Sequence, residues 1–362
     1  MNKKIRIACF IPFSRDFHGF GGAERRIPYI FSKLDFEKYD VSIIIISYKN
    51  KEKIKNEISR YLDGIENVIY LENNIKAFFY FLHNYYDIVC YTDCILRTIP
   101  VIWGTLLKKS KRIMLMESVN NSSFHFKEKW YKYFFWMNIK LSNHLDCLYP
   151  SNVSIIESKF KNTKITVTPS ILPRIEKYLK LHNKQNIILF AGRLMEQKNP
   201  RLFINSMVSI REKLIEKNFK CWVCGEGPLK NELISYVEEN GYGDIIEIKG
   251  YVNMEEITPT CKVFCSLQNK ENYPSQSLLE AISCGCYCIA SNRGDTYRII
   301  KNDFGELVEL DESSICNAIL NIIEKTNDEW MFIENKAMEF ANNNFNVNKA
   351  VKHYDKLFRR IL

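Results

Sequence analysis

The sequence predicts an α/β protein with two doubly wound Rossmann-like domains facing across a cleft. The 362 residues exceed what one hydrophobic core usually supports and fit two domains. Short apolar segments alternate with amphipathic ones along the whole chain, which is typical of βαβ units and parallel sheets. The polar segment 173–185 is the predicted linker between a domain at 1–172 and a domain at 186–345. The last segment, 346–362, has the pattern of a helix and is expected to pack back on the first domain.

Strand-like segments can be placed one by one. Those of the first domain are 5–11, 39–47, 67–71, 87–91, 112–116, 145–149 and 164–168. Those of the second are 186–192, 220–225, 245–250, 262–267, 286–291 and 305–310. Open α/β sheets bind ligands at the carboxyl ends of their strands, so we expect functional residues directly after these segments.

Composition indicates a cytoplasmic protein with free thiols. Hydrophobic residues make up 46% of the chain and charged residues 26%, as in soluble globular proteins. No segment reaches the ~20 apolar residues of a membrane span, and the first residues run directly into a strand pattern, leaving no room for a signal peptide. The twelve cysteines are therefore expected to be reduced. We interpret Cys221 and Cys224 in "CWVC", and the cysteines of "CGCYC", as small buried residues, since nothing completes a zinc site.

The charge is unevenly divided, with +12 in residues 1–180 and −3 in residues 181–362. A basic first half suggests an anionic partner. No nucleic-acid motif is present, so a membrane surface or a phosphorylated acceptor is favoured and nucleic acid is not. The segment 125–140 interleaves Lys with Trp, Tyr and Phe. It is either a helix lying on an anionic membrane near a lipid-linked acceptor, or an ordinary helix with its aromatic residues in the core.

Three strand-end loops have features of phosphate sites. "HGFGGAERR" places Gly21 and Gly22 before a helix, where glycines allow close approach of a phosphate or form a tight turn. "GRLMEQKNP" places Arg193 and Lys198 between a strand and a helix, which suits a diphosphate, although both could be solvated surface cations. "GEGPL" repeats the pattern with two further glycines, Gly225 and Gly227.

Carboxylates lie at two other strand ends. "ENYPSQSLLEAISCG" contains Glu271 and Glu280, and Ser277 with Glu280 fits a capping box for a helix that ends at Gly285. A general acid–base pair is disfavoured, because nothing fixes the separation of the two carboxylates. In the first domain "MLMESVNN" contains Glu117 and Asn120, which are candidates for a sugar or acceptor contact; burial of Glu117 in an ion pair is the alternative.

Taken together, "GGAE", "GRLMEQKN", "GEGPL", "KGYV" and "ENYPSQSLLEAISCG…CIAS" resemble the retaining GT-B glycosyltransferases, specifically glycosyltransferase family four (group 1). The resemblance covers nearly the whole chain and implies transfer of a sugar from a nucleotide-diphosphate sugar to a glycan or lipid-linked acceptor in bacterial surface polysaccharide synthesis. It implies that Arg193 and Lys198 bind the donor diphosphate and that Glu280 holds the ribose hydroxyls. Further donor contacts are expected at Gly21, Gly22, Gly225, Gly227, Ser275, Ser277 and Leu278.

The sequence departs from the family at the glutamates. The family separates them by seven residues, whereas eight lie between Glu271 and Glu280. Either Glu271 or Asn272 is therefore expected to touch the donor sugar. No Asp-x-Asp is present, and we predict that no metal or other cofactor is needed. The alternatives are a sugar-nucleotide epimerase of the same fold and a non-catalytic nucleotide-binding module.

Overall fold

The computed structural model describes residues 3–12, 22–46, 51–92, 95–117, 129–179 and 183–362. The chain divides into two compact units. The first consists of Met1–Pro173 and Val347–Leu362, and the second is Arg174–Asn346.

The first unit is built on a seven-stranded parallel sheet in the order β3-β2-β1-β4-β5-β6-β7. Its strands are β1 (Ile5–Pro12), β2 (Tyr39–Ile46), β3 (Asn67–Leu71), β4 (Ile88–Thr92), β5 (Lys111–Met116), β6 (His144–Cys147) and β7 (Ile165–Val167). The chain moves outward from β1 to β3 and then continues on the other side of β1 with β4. This reversal is the topological switch point of a doubly wound sheet.

Helices cover both faces of this sheet. They are α1 (Gly22–Phe31), α2 (Lys51–Ile58), α3 (Asn74–His83), α4 (Ile95–Leu106), α5 (Lys129–Leu141) and α6 (Ser151–Lys159). Successive side chains of a strand point to opposite faces, so Ile7 and Cys9 of β1 join the core beneath α1 and α2. Ala8 and Phe10 join a second core beneath α3, α4, α5 and α6.

The second unit contains a six-stranded parallel sheet in the order β10-β9-β8-β11-β12-β13. Its strands are β8 (Gln185–Ala191), β9 (Lys220–Cys224), β10 (Ile246–Gly250), β11 (Cys261–Ser266), β12 (Tyr287–Ser291) and β13 (Gly305–Val308). Its helices are α7 (Pro200–Ser209), α8 (Arg211–Glu216), α9 (Lys230–Glu239), α10 (Met254–Ile257), α11 (Gln276–Ser283), α12 (Glu312–Ile323) and α13 (Asn327–Phe345). The switch point lies between β8 and β11.

The last helix, α14 (Val347–Ile361), belongs to the first unit. Tyr354 packs on Phe31 with ring centroids 5.4 Å apart, and the Tyr39 hydroxyl donates to Asp355 Oδ1 at 2.8 Å. On the other side of the helix, His353 Nε2 lies 2.9 Å from Asp146 Oδ1. The helix is thus held by both apolar and polar contacts.

The segment predicted as a linker is folded where the structure describes it. Residues 174–179 lie in the second unit, and Ile175 and Tyr178 are buried. Apolar residues at these two positions pack a short 3-10 turn into that unit, so this part is not a free connection. Residues 180–182 lie outside the described residues.

The predicted α/β class with two doubly wound Rossmann-like domains is confirmed; the cleft between them stays a prediction. Each strand-like segment forms a strand, and the boundaries differ by at most two residues. The eleven cysteines in the described ranges are buried free thiols, as expected; Cys94 lies outside those ranges. None of the described helices is long and apolar enough to cross a bilayer.

Candidate functional site

The residues predicted to bind a donor in the second unit lie in loops at one edge of its sheet and in helix α11, which follows one of these loops. These loops follow β8, β9 and β11, and a further loop follows β12. Because β9, β8, β11 and β12 are consecutive neighbours in the sheet, their carboxyl ends bring the loops side by side. The structure therefore groups at one edge residues that are up to about a hundred positions apart in sequence.

The loops after β8 and β9 continue the sheet pairing beyond both strands. Gly192 N–H donates to the carbonyl of Cys224 at 3.0 Å, and Leu194 N–H donates to the carbonyl of Glu226 at 2.9 Å. A Cβ at Gly225, where φ is +143°, would lie 1.8 Å from the Gly192 oxygen. Contact between the two loops therefore requires this glycine, and its predicted contact with a donor remains a prediction.

Gly227 is required for the same reason. A Cβ at this position would lie 2.2 Å from the carbonyl oxygen of Leu194. Both glycines of "GEGPL" are thus explained by loop packing, whether or not a phosphate approaches them.

Gly192 differs from these two glycines. A Cβ built on it meets no described atom within 4 Å, so no packing contact in the described chain requires a glycine there. The next residue, Arg193, is exposed. Open space beside a glycine, next to an exposed arginine, is the geometry expected where an anionic ligand approaches the main chain.

Lys198 is a half-buried cation in the same loop. It ends a 3-10 turn, Glu196–Lys198, and Asn199 with φ 54° then redirects the chain into α7, which begins with Pro200. Burial lowers the pKa of Lys198 to about 8. No ion pair in the described part of the chain includes it; its Nζ donates to the neutral Gln268 Oε1. An anion bound here would supply the missing counter-charge.

Gln268 connects Lys198 to the loop after β11. Its Nε2 donates to Asn272 Oδ1, and its carbonyl accepts from Ser291 Oγ at 2.8 Å. Sequence reasoning missed Gln268, because glutamine after a strand has no distinctive pattern. Its position two residues after β11, the strand that neighbours β8, is the signal that could have found it.

The Glu271 carboxylate connects two loops of the second unit. Its Oε1 accepts the backbone N–H groups of Asn272 at 3.0 Å, Tyr273 at 2.9 Å and Asp295 at 3.0 Å. Burial raises the pKa of Glu271, and these hydrogen bonds oppose the rise. Gly294, with φ +56°, packs so closely that a Cβ there would lie 1.8 Å from Glu271 Oε2. The geometry assigns Glu271 a structural contact; its contact with a sugar stays a prediction.

Asn272 is also engaged within the protein. It is buried, its Oδ1 accepts from Ser266 Oγ at 2.9 Å, and its Nδ2 donates to the Ser266 carbonyl at 2.9 Å. Neither residue proposed for the donor sugar is therefore free of contacts within the chain.

The predicted capping box is wrong. Helix α11 begins at Gln276 with Ser275 as its N-cap, and the Ser275 side chain makes no capping bond. Its hydroxyl lies 3.1 Å from that of Ser277 instead. The extended backbone at Ser275 starts the helix two residues before the position that the box required. Ser277 and Glu280 consequently lie within the helix rather than at its cap.

Glu280 and Leu278 are buried inside the unit. Glu280 Oε1 accepts from the Tyr178 hydroxyl at 3.4 Å. The Leu278 side chain is fully buried. Only the backbone N–H of Leu278, in the first turn of α11, is then left to contact the donor substrate. The predicted end of the helix is correct: Gly285 has φ +74°, and it and Cys286 donate to the carbonyls of Ile282 and Ala281 in a Schellman motif.

In the first unit Glu117 forms a buried ion pair with Arg26. The side chains are 7% and 1% exposed, so the ion-pair alternative describes the observed geometry. Gly22 begins α1, whereas Gly21 and Asn120 lie outside the described residues.

These loops and sheets define a protein of two Rossmann-like units with a candidate anion site at the strand ends of the second. Residues 173–339 match the family model described as Glycosyl transferases group 1. The match covers nearly all of the second unit and confirms the resemblance to group 1 glycosyltransferases over these residues. The retaining mechanism and the assignment to family four stay predictions.

Curated relatives agree with this family. The chain is 29% identical over 260 residues to an Escherichia coli UDP-Gal:α-D-GlcNAc-diphosphoundecaprenol α-1,3-galactosyltransferase, covering 67% of this chain and 65% of that protein. It is 25% identical over 217 residues to a Campylobacter jejuni GalNAc-α-(1→4)-GalNAc-α-(1→3)-diNAcBac-PP-undecaprenol α-1,4-N-acetyl-D-galactosaminyltransferase, covering 59% of each chain. The chain thus spans less than two thirds of either relative.

Solved structures show the same fold over the full length. Anabaena HepE in complex with UDP superposes with a TM-score of 0.78 at 13% identity, covering 98% of this chain and 100% of that one. At this identity the likeness concerns the fold alone.

Proposed function

We propose that the chain transfers a sugar from a nucleotide-diphosphate sugar to a hydroxyl of a lipid-linked glycan, in bacterial surface polysaccharide synthesis. The group 1 domain at 173–339 and the two relatives named for undecaprenol-linked acceptors support this function. The observation that carries it is Lys198, a half-buried cation with a lowered pKa and no carboxylate partner among the described ion pairs, in the same loop as the exposed Arg193. A donor diphosphate supplies the anion that such a site lacks.

In this reaction the bond between the anomeric carbon and the donor phosphate oxygen breaks, and its electron pair stays on that oxygen. The acceptor oxygen bonds to the anomeric carbon, and its proton passes to the departing diphosphate. Lys198 and Arg193 stabilise the charge that develops on the phosphate. Preorganised electrostatic stabilisation of this kind is often the largest single contribution to catalysis.

The proposal includes retention of anomeric configuration and independence from metal ions. Retention follows from the resemblance to family four, in which the donor phosphate serves as the base, and independence from metal follows from the lack of an Asp-x-Asp in the sequence. NMR of the first-formed product reports the anomeric configuration, and inversion would contradict the first point. Turnover that disappears in EDTA and returns with a divalent cation would contradict the second.

A panel of UDP-, GDP- and ADP-sugars, with and without lipid-linked acceptors, tests the function. We expect release of nucleotide with one donor class and a product enlarged by one sugar. An epimerase would change the sugar without releasing nucleotide, and a binding module would bind without turnover. The relative that uses UDP-Gal makes UDP-sugars the first choice. We place the reaction at the cytoplasmic side of the membrane that holds the acceptor.

A further inference from the structure

Three helices form a continuous layer on one face of the first unit. Helix α4 packs on α3 so closely that a Cβ at Gly104 would lie 2.9 Å from the Phe78 carbonyl oxygen. On its other side α4 contacts α5, where Asn138 Nδ2 donates to Thr98 Oγ1 at 3.1 Å. All three helices bury residues in the same core. We refer to this group as the α3–α5 layer.

The α3–α5 layer carries cations and no acidic residue. None of the sequences of α3, α4 and α5 contains Asp or Glu. The helices on the opposite face of the sheet do contain acids, among them Glu24, Glu52 and Asp355. Exposed or half-buried lysines of the layer and of the turn after α4 are Lys108, Lys109, Lys132 and Lys140. Lys76 of α3 is exposed as well but pairs with Glu72, which precedes that helix.

The layer also exposes large apolar side chains. Leu107, directly after α4, is 88% exposed, and Trp103 is 53% exposed. Ile75 and Phe79 of α3 and Tyr133 of α5 are exposed as well. Single exposed apolar residues are common on protein surfaces, but apolar side chains grouped among cations are the pattern of interfacial helices.

The structure changes which residues of this region can reach a partner. The aromatic residues of 129–140 contribute to the core, since Phe135 is fully buried and Phe134 and Trp136 are partly buried. The exposed apolar side chains Trp103 and Leu107 lie instead in α4 and in the turn that follows it.

We propose that the α3–α5 layer docks on an anionic lipid surface, with Trp103 and Leu107 in the headgroup region and Lys108 and Lys109 against the phosphates. This inference rests on the proposed function in that a lipid-linked acceptor lies in such a surface. A second copy of the chain is disfavoured as the occupant, because a symmetric contact would bring two cationic, acid-free layers together.

Flotation with vesicles tests the docking surface on the full chain, without any assay of activity. We expect the wild-type protein to float with phosphatidylcholine vesicles that contain phosphatidylglycerol, but not with pure phosphatidylcholine vesicles, and to be released by high salt. The double variant Trp103→Ser/Leu107→Ser should lose about tenfold or more in bound fraction, as should Lys108→Glu/Lys109→Glu.

Met331→Ser/Phe332→Ser is the matched control, because these side chains are 61% and 53% exposed on the second unit. It should float like the wild type, and the unfolding temperatures of all variants should agree. Undiminished flotation of both layer variants would overturn the proposal. So would equal binding to neutral vesicles, or a dimer that the Trp103→Ser/Leu107→Ser change dissociates.

Assays of nucleotide release on the same protein variants distinguish a failure of the docking surface from a failure of the proposed function. With a detergent-dispersed acceptor, the layer variants should release nucleotide as the wild type does. A wild-type protein that floats but releases no nucleotide with any donor contradicts the function and leaves the docking surface standing.

Discussion

The proposed role of Lys198 can be tested through the pH dependence of the reaction, because burial lowers the pKa of its side chain to about 8. The ammonium is the charged form and is present below this pKa, so the cation is lost as the pH rises through about 8. We predict that kcat/KM for the donor falls with increasing pH above this value, since kcat/KM reports ionisation of the free enzyme.

Lys198→Arg is the control for that profile, because arginine keeps its charge at every pH of the assay. It should flatten the alkaline limb, whereas Lys198→Ala and Arg193→Ala should each lower turnover by about two to three orders of magnitude with the fold intact. Near-normal turnover in both alanine variants would refute the diphosphate assignment.

Gln268 is a positioning residue rather than a ligand in this scheme. It accepts a hydrogen bond from Lys198 and is itself held by Asn272. We predict that Gln268→Glu raises the donor KM about tenfold or more, because the new carboxylate pairs with Lys198 and repels the diphosphate. The same change should shift the alkaline limb of the pH profile upward, a shift that a purely structural defect would not cause. Gln268→Ala should raise KM less and leave that limb near its wild-type position.

Two substitutions distinguish a structural role of Glu271 in its loop from a contact of its carboxylate with the donor sugar. Glu271→Gln keeps an oxygen for the N–H groups of Tyr273 and Asp295, so we predict wild-type stability. Glu271→Ala leaves those donors unpaired and should cost about 1–3 kcal/mol, measured by denaturant unfolding. If Glu271→Gln retains the fold but loses most turnover, the carboxylate acts on the donor sugar and its role is more than structural.

At the scale of elements, substitutions at two glycines of the strand-end loops distinguish a role in loop packing from a role in ligand binding. Gly225→Ala forces a Cβ into the Gly192 oxygen and should destabilise the second unit by more than about 2 kcal/mol. Gly192→Ala meets no described atom, so it should unfold at the wild-type temperature but bind donor more weakly. Calorimetric titration of UDP into both variants, beside thermal unfolding, checks this. Unchanged affinity in Gly192→Ala would show that no ligand approaches that backbone.

The elements show why the sequence predicted the fold better than the site. Strands are marked by apolar runs such as "VSIIII", and the end of α11 by Gly285, so local patterns were sufficient there. The start of α11 was misplaced because Ser277 lies three residues before Glu280, as a capping box requires, whereas the actual N-cap, Ser275, is set by its extended backbone and has no such pattern. The contacts of Glu271 with Asp295 and of Lys198 with Gln268 join distant loops, and no local pattern specifies them.

At the scale of the whole molecule, one unit is formed by a single continuous stretch of the chain and the other by two separate stretches. The second unit is one continuous stretch, Arg174–Asn346, whereas the first needs both Met1–Pro173 and Val347–Leu362. Helix α14 buries Tyr354, Leu357 and Phe358 in the first unit. Each such side chain contributes about 1.5–3 kcal/mol, and a domain is stable by only about 5–15 kcal/mol in total.

We therefore predict that residues 174–346 expressed alone fold cooperatively and bind UDP, but do not transfer sugar. Residues 1–173 alone should lack a cooperative thermal transition, because the apolar surface around Phe31 and Tyr39 then loses its cover. Adding a synthetic 347–362 peptide should restore the transition, and a peptide with Tyr354→Ser and Phe358→Ser should not. Circular dichroism during heating measures both outcomes. A cooperative transition in 1–173 without the peptide would show that α14 is an accessory to this unit and not part of its core.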